Sequence, residues 1–140
     1  MNLQQFIKKK ITLDMMVLPW FYPENNDLES FQGGYKIPEE EQQKGGFKAS
    51  WWVICCNYFD DPFFVDFDEK EKGLPVYFAF HGQDEWIPIL IASSLAEFEH
   101  ILLTIRDIQK YKVRFLDYIQ NNFDLNNPFW QEVYQTILEQ

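Results

Sequence analysis

Hydrophobic and polar residues follow three successive patterns along the chain. In residues 1–49, apolar positions are interrupted by prolines and glycines, which predicts a packed loop region with one short strand at residues 31–37. In residues 50–92, short apolar runs alternate with polar turns, which predicts a series of strands. In residues 93–140, apolar side chains recur every three or four positions, which predicts helices.

The predicted strands form an antiparallel meander of about five to six strands in the middle of the chain, because turn signals separate the apolar runs at short spacing. These runs lie at residues 31–37, 51–58, 63–67, 76–80 and 86–91. The run at 51–58 is apolar on both faces, as expected of a central strand covered on both sides. In the next run, Phe63 and Val65 share one face, whereas Phe64 takes the other. Pro88 cannot donate to a strand ladder and therefore places the last run at an edge or a bulge.

Helices are predicted where the apolar spacing lengthens. Ser94 and Glu97 form a capping box at the start of the first of them. Apolar positions in residues 113–123 predict a second helix, and Asn127-Pro128 supplies an N-cap and a first helical position for a third. Strands followed by C-terminal helices predict an α+β domain in which the helices pack on one face of the sheet.

Length and composition indicate a single domain over residues 1–140. Of the 140 residues, 46% are hydrophobic and 19% aromatic, which is enough for one substantial core. The 22 acidic and 12 basic residues give a formal charge of −10, which argues against nucleic acid and favours a basic partner. No apolar run reaches the roughly 18 residues that a membrane span needs, and residues 1–10 lack the charge order of a secretory signal. We therefore expect a cytoplasmic protein with no membrane partner.

Cys55 and Cys56 are the first candidates for chemistry, because with His81 and either Asp66 or Asp84 they supply the residue types of a cysteine hydrolase. Both lie in an apolar predicted strand, whereas an activated thiol needs an electropositive, partly exposed environment. Adjacent strand positions face opposite sides, which excludes an unstrained disulfide between them. We expect both cysteines to be core residues.

Two other groups match catalytic or metal sites in residue type alone. His81 with Asp84, Glu85 and either Asp60 or Asp61 has metal-ligating side chains, but no paired ligand motif accompanies them, and a turn explains His81 better. Residues 68–70 have the acid-x-lysine form of restriction-type nucleases, but they fall in a charged tract typical of an exposed turn. The sequence therefore predicts no catalytic residue, no metal and no cofactor, with a hydrolase or nuclease as an alternative.

Acidic residues are concentrated in the predicted turns. The candidate acidic surface comprises Asp60, Asp61, Asp66, Asp68, Glu69, Glu71, Asp84 and Glu85. One explanation is that these charges keep the turns solvated. The other is that they meet a basic protein, since opposite charge speeds association. Both explanations stay open at this point.

A series of short motifs runs through residues 31 to about 102, roughly half of the chain. In order, they are Phe31-Gln32-Gly33-Gly34-Tyr35, Trp52-Val53-Ile54, Asp61-Pro62-Phe63-Phe64-Val65-Asp66, Pro75-Val76-Tyr77, His81-Gly82, Trp86 and Ile91-Ala92-Ser93-Ser94-Leu95-Ala96-Glu97-Phe98. This series resembles the SUKH superfamily, which contains bacterial immunity proteins and a yeast regulator of cell-wall synthesis.

The resemblance implies a non-catalytic, cytoplasmic protein-binding domain. Members of the superfamily commonly bind and neutralise a cognate toxin, in many cases a nuclease, so the implied partner is such a toxin with a basic surface. The alternative within the superfamily is a regulatory scaffold that binds a host enzyme. The motif residues expected to have structural roles are Trp52, Pro62, Tyr77, Trp86, Ser94 and Phe98.

Overall fold

The computed structural model describes residues 2–24, 27–35 and 46–140, which have the predicted α+β class. The α-helices are α1 (Leu3–Lys9), α2 (Leu95–Ile108), α3 (Lys112–Asn122) and α4 (Pro128–Leu138). The strands are β1 (Trp51–Cys56), β2 (Pro62–Asp66), β3 (Val76–Phe78) and β4 (Ile89–Ala92). Short 3-10 helices lie at Ser30–Gln32 and Phe67–Lys72.

The sheet is an antiparallel meander in the predicted order, β1-β2-β3-β4, but among the described residues it has four strands rather than five to six. The strand predicted at residues 31–37 is wrong where it can be compared, because residues 31–35 form the end of a 3-10 helix and a turn, with Gly34 at φ +93°. Residues 36 and 37 lie outside the described residues. The last strand begins directly after Pro88, because proline has no N–H to donate to a ladder. It lies at the edge of the sheet, one of the two positions that Pro88 predicts.

Alternation along β2 divides the core into two parts. Phe63 and Val65 face the helices, whereas Phe64 faces the opposite side of the sheet, and all three are fully buried. The ring of Phe63 lies 5.7 Å from that of Phe98 in α2 and 5.6 Å from that of Phe129 in α4. Each fully buried side chain of this size contributes roughly 1.5–3 kcal/mol. The strand thus joins the sheet to two of the three C-terminal helices.

The helices cover one face of the sheet, as predicted. Two of them begin at the predicted caps: Ser94 Oγ accepts the backbone N–H of Glu97 at 3.0 Å, and the Asn127 side chain caps α4 in the same way. Helix α1 is joined to α2 by the ion pair between Lys9 Nζ and Glu99 Oε1 at 2.5 Å. These contacts fix where the helices start and how the N-terminal helix is placed.

Aromatic residues from loops cover the opposite face of the sheet. The ring of Phe47 lies 5.2 Å from Trp51, 4.9 Å from Phe64 and 5.4 Å from Trp86. Tyr35 packs against Phe47 at 6.0 Å and against Trp86 at 5.9 Å. Because both faces are covered, the strands are apolar on both sides.

Strand β1 lies at the edge of the sheet, contrary to the central position that its apolar run predicts. The preceding segment covers its free edge. The N–H of Val53 donates to Gln32 Oε1 at 2.8 Å, and the Val53 carbonyl accepts from Gln32 Nε2 at 2.9 Å. Phe21 pairs with Cys56 in an isolated antiparallel bridge. The Gln32 amide takes the place of a neighbouring strand, which allows an edge strand to be buried on both faces.

We expect Gln32→Ala to lower the free energy of unfolding by about 2 kcal/mol or more, because it leaves the buried N–H and carbonyl of Val53 without partners. The measurement is urea denaturation followed by tryptophan fluorescence. Gln131→Ala is the matched control, since Gln131 is exposed on α4 and should change stability by less than about 0.5 kcal/mol. Equal urea midpoints for the two variants would contradict this role of Gln32.

Candidate functional site

Four of the nine exposed large hydrophobic side chains among the described residues lie together at the β1–β2 turn. Met16, Phe21, Tyr58 and Phe59 are 49%, 43%, 51% and 47% exposed. The ring of Tyr58 stacks on that of Phe21 at 6.5 Å and meets the ring of Trp20 edge-on at 5.5 Å. The backbone N–H of Tyr58 donates to the Met16 carbonyl. We call these five residues the aromatic patch. Contiguous exposed apolar groups of this kind mark interaction sites.

Hydrogen bonds hold the turn that carries the patch in one conformation. Asn57 is buried, and its Oδ1 accepts the N–H groups of Phe59 and Asp61, each at 3.0 Å. The N–H of Asn57 donates to the Asp61 carbonyl at 3.1 Å. Asp60 adopts a left-handed backbone conformation at φ +66°, which aspartate tolerates better than most residues. The patch is therefore presented on a preorganised turn.

Asp61 is a structural residue of this turn, because it is only 7% exposed. Its Oδ1 accepts the backbone N–H of His81 at 2.9 Å and lies 2.5 Å from His81 Nδ1. Its Oδ2 accepts from Asn57 Nδ2 at 3.2 Å. The expectation that Asp61 belongs to an acidic surface is corrected, since its carboxylate instead joins the β1–β2 turn to the turn that follows β3.

The other residues of the candidate acidic surface fall into two groups at opposite ends of β2. The two ends are about 16 Å apart, because an extended strand rises about 3.3 Å per residue. Exposed at the end that carries the aromatic patch are Asp60, Asp84 and Glu85. At the opposite end, in and beside the second 3-10 helix, are Asp66, Asp68, Glu69 and Glu71. The fold does not bring these residues together into one surface.

The second group is partly engaged in internal contacts. Asp66 caps the 3-10 helix, and Glu69 accepts a hydrogen bond from the Tyr77 hydroxyl at 2.8 Å and lies 3.6 Å from Lys72 Nζ. Burial, aided by the Glu69 carboxylate, raises the pKa of Tyr77 to about 12. The acid-x-lysine residues at 68–70 thus lie in a short helix whose central carboxylate already has partners.

Contacts within the fold account for the residues expected to be structural in the family motifs. Trp52 stacks on Phe67 with ring centroids 5.4 Å apart, and Pro62 is the first residue of β2. The others lie in the elements and clusters described above: Tyr77, Trp86, Ser94 and Phe98.

The two cysteines lie in an environment that suppresses the thiolate. Burial raises the pKa of Cys55 well above its ordinary value. Burial is also the main cause that raises the pKa of Cys56 to about 11. A bulge at Ile54 turns both Ile54 and Cys55 toward the helices. Since the thiolate is the reactive form, neither cysteine has the setting of a nucleophile.

An open groove of about 640 Å³ adjoins the aromatic patch. We call it the acidic groove, and the lining residues that define it are Phe21, Glu24, Asp27, Phe31, Tyr35 and Asp60. The described residues that line it include no lysine or arginine. It combines aromatic walls with three carboxylates in a volume typical of ligand sites.

The hydrophobic pattern alone does not locate the patch or the groove. It assigns Trp20 and Phe21 to a packed loop and Tyr58 to a buried strand, because a pattern of residue types does not say which aromatic rings stay uncovered. One local signal was present, since Tyr58-Phe59 directly precedes the turn residues Asp60-Asp61. Aromatic residues beside a turn are candidates for exposure.

No protein-family model, no curated protein and no solved structure matches the chain. Within residues 2–24, 27–35 and 46–140, no three histidine, cysteine or acidic side chains come together in a way that could hold a metal ion. None of the helices in this part of the chain is both long and apolar enough to cross a membrane.

We expect Asp61→Ala to lower the free energy of unfolding by about 2–3 kcal/mol, because it removes the acceptor for the Asn57 amide and the His81 N–H. Asp84→Ala is the matched control, since Asp84 is exposed in the turn after His81 and should change stability by less than about 0.5 kcal/mol. Both are measured by urea denaturation. A stability of Asp61→Ala equal to that of the control would exclude the structural role.

Proposed function

We propose that the chain is a non-catalytic, SUKH-like immunity protein that acts in the cytoplasm and neutralises a cognate toxin by binding it directly. The observation that carries this proposal is the aromatic patch on its preorganised turn. Exposed tyrosine, phenylalanine and tryptophan side chains are the residues that most often anchor protein–protein contacts. A turn held by the Asn57 side chain loses little conformational entropy on binding.

Charge supports a basic partner. The formal charge of the chain is −10, and Asp60, Asp84 and Glu85 are exposed at the end of the sheet that carries the patch. A toxin that grips phosphates is positively charged where it does so, and an acidic protein gains a faster association rate with such a surface. The charges at the opposite end of β2 do not add to this argument, because Asp66 and Glu69 already have partners within the fold.

The absence of activated groups at the candidate nucleophiles favours binding over chemistry. Both thiols are buried with raised pKa values. In the acid-x-lysine triplet, Lys70 Nζ lies over the Phe67 ring, 5.1 Å from its centroid. The His81 imidazole is bonded through Nδ1 to Asp61, where the pair links two turns. The two cysteines, Lys70 and His81 thus have structural explanations.

Immunity proteins of the superfamily that the sequence resembles are commonly encoded beside their toxins, so we expect the protein to form a stable complex with the product of the neighbouring gene and to rescue cells that express that product. Co-purification and a growth-rescue assay measure this. The double variant Tyr58→Ser/Phe59→Ser should weaken binding by about 30-fold or more, the level of an interface hot spot, and association should slow as salt rises.

The matched control is Tyr111→Ser/Val113→Ser, which removes two exposed hydrophobic side chains at α3 and should leave binding unchanged. Circular dichroism checks that both double variants are folded. No complex and no rescue would overturn the toxin-neutralising proposal and favour the scaffold alternative. Equal weakening by the two double variants would show that the patch has no special role.

A further inference from the structure

The acidic side chains that line the acidic groove indicate which kind of ligand it binds. Asp60 lies at one side, on the β1–β2 turn, and Glu24 and Asp27 lie on the segment that precedes β1. The Asp60 carboxylate accepts no hydrogen bond from the residues that the structure describes, and it is exposed. Its backbone carbonyl accepts from the Tyr35 hydroxyl at 2.8 Å, so the residue is held in place while its carboxylate stays available.

The other two carboxylates are oriented by the chain itself. Asp27 accepts both the N–H and the hydroxyl of Ser30, at 3.1 Å and 2.6 Å, and these bonds hold its pKa below the ordinary value. Glu24 lies 3.2 Å from Lys10 Nζ in an exposed ion pair, which contributes little to stability and is exchangeable. The groove therefore presents a negative charge that its described lining does not neutralise from within.

Aromatic residues form a large part of the remaining walls. Phe21 belongs to both the groove and the aromatic patch, and Phe31 and Tyr35 also line the groove. The planar guanidinium of arginine stacks on such rings and pairs with carboxylates through a fork of N–H groups. The ammonium of lysine interacts with the same groups only as a point charge. Rings beside carboxylates that can still accept hydrogen bonds, Asp60 above all, are the complement of a guanidinium group.

We infer that the acidic groove receives an arginine side chain from a basic protein partner, while the adjoining aromatic patch packs against the apolar residues around that arginine. The inference deepens the proposed function and rests on it, since it assigns one partner side chain to one place on the surface. Charge complementarity selects the occupant: Glu24, Asp27 and Asp60 line the groove, and the one cation paired with them is Lys10, in an exposed contact with Glu24, among the residues that the structure describes. A lysine in the same place is bound more weakly, because it lacks the planar fork.

The test is an NMR titration of the isotope-labelled full chain with the peptide acetyl-Gly-Arg-Gly-amide. We expect the amide signals of Phe21, Asp60 and Gly33, which also lines the groove, to shift on addition of the peptide, and the shifts to diminish as salt is raised. The same peptide with citrulline in place of arginine has nearly the same shape without the charge, and it should produce no such shifts. The lysine peptide should bind more weakly than the arginine peptide.

Asp60→Asn should weaken binding of the arginine peptide by about fivefold or more, because it removes a charge-assisted hydrogen bond. Asparagine also tolerates the left-handed backbone at this position. Asp117→Asn, exposed on α3 and outside the groove, is the matched control and should leave binding unchanged.

Shifts absent from the groove, or equal for the arginine and citrulline peptides, would overturn the inference. Equal effects of Asp60→Asn and Asp117→Asn would do the same. This test is independent of the neighbouring gene product: if that product binds but the arginine peptide does not, the proposed function stands and the inference fails. If the peptide binds in the groove but the product does not bind, the groove assignment stands and the toxin partner is rejected.

Discussion

The burial of β2 on both faces is the constraint on which the rest of the structure depends. Phe63 and Val65 face the helices and Phe64 faces the loop aromatics, so a shift of one residue in register would exchange the two sets. The order of strands then brings the turns before β2 and after β3 to the same end of the sheet. The Asp61 carboxylate joins those two turns by hydrogen bonds to His81.

This arrangement also separates the acidic residues by their surroundings. Asp61 is buried at one end of β2, whereas Asp66 and Glu69 contact their own neighbours at the other end. The Asp60 carboxylate, which has no partner among the described residues, therefore lies beside exposed aromatic rings and is the one best placed to meet a partner protein. An apolar anchor beside an uncompensated carboxylate is a combination that suits binding to a basic protein.

Much of the fold could be predicted from local signals. The alternation at Phe63 and Phe64, the capping residue Ser94 and the Asn127-Pro128 helix start are short-range features, and the structure has each of them. The edge position of β1 could not be predicted, because it depends on a side chain 21 residues earlier, Gln32, that satisfies the Val53 backbone. An edge strand covered in this way has the same apolar pattern as a central one.

The candidate site was predicted only in part for the same reason. The sequence contains the acidic turn residues, but burial of Asp61 depends on the distant residue His81, and exposure of Tyr58 depends on how residues 16–21 cross the β1–β2 turn. Such contacts join segments that are far apart in the chain. Composition and periodicity carry no information about them, so the candidate surface, which two segments form together, can be recognised only in the folded structure.

Hydrogen–deuterium exchange of the protein, alone and mixed with the product of the neighbouring gene, tests the central claim that one end of the sheet is the binding face. The account predicts slower exchange on binding for the amides of residues 20–24 and 57–61, with little change in α3 and α4. Protection confined to α3 and α4, with no change at the β1–β2 turn, would contradict it.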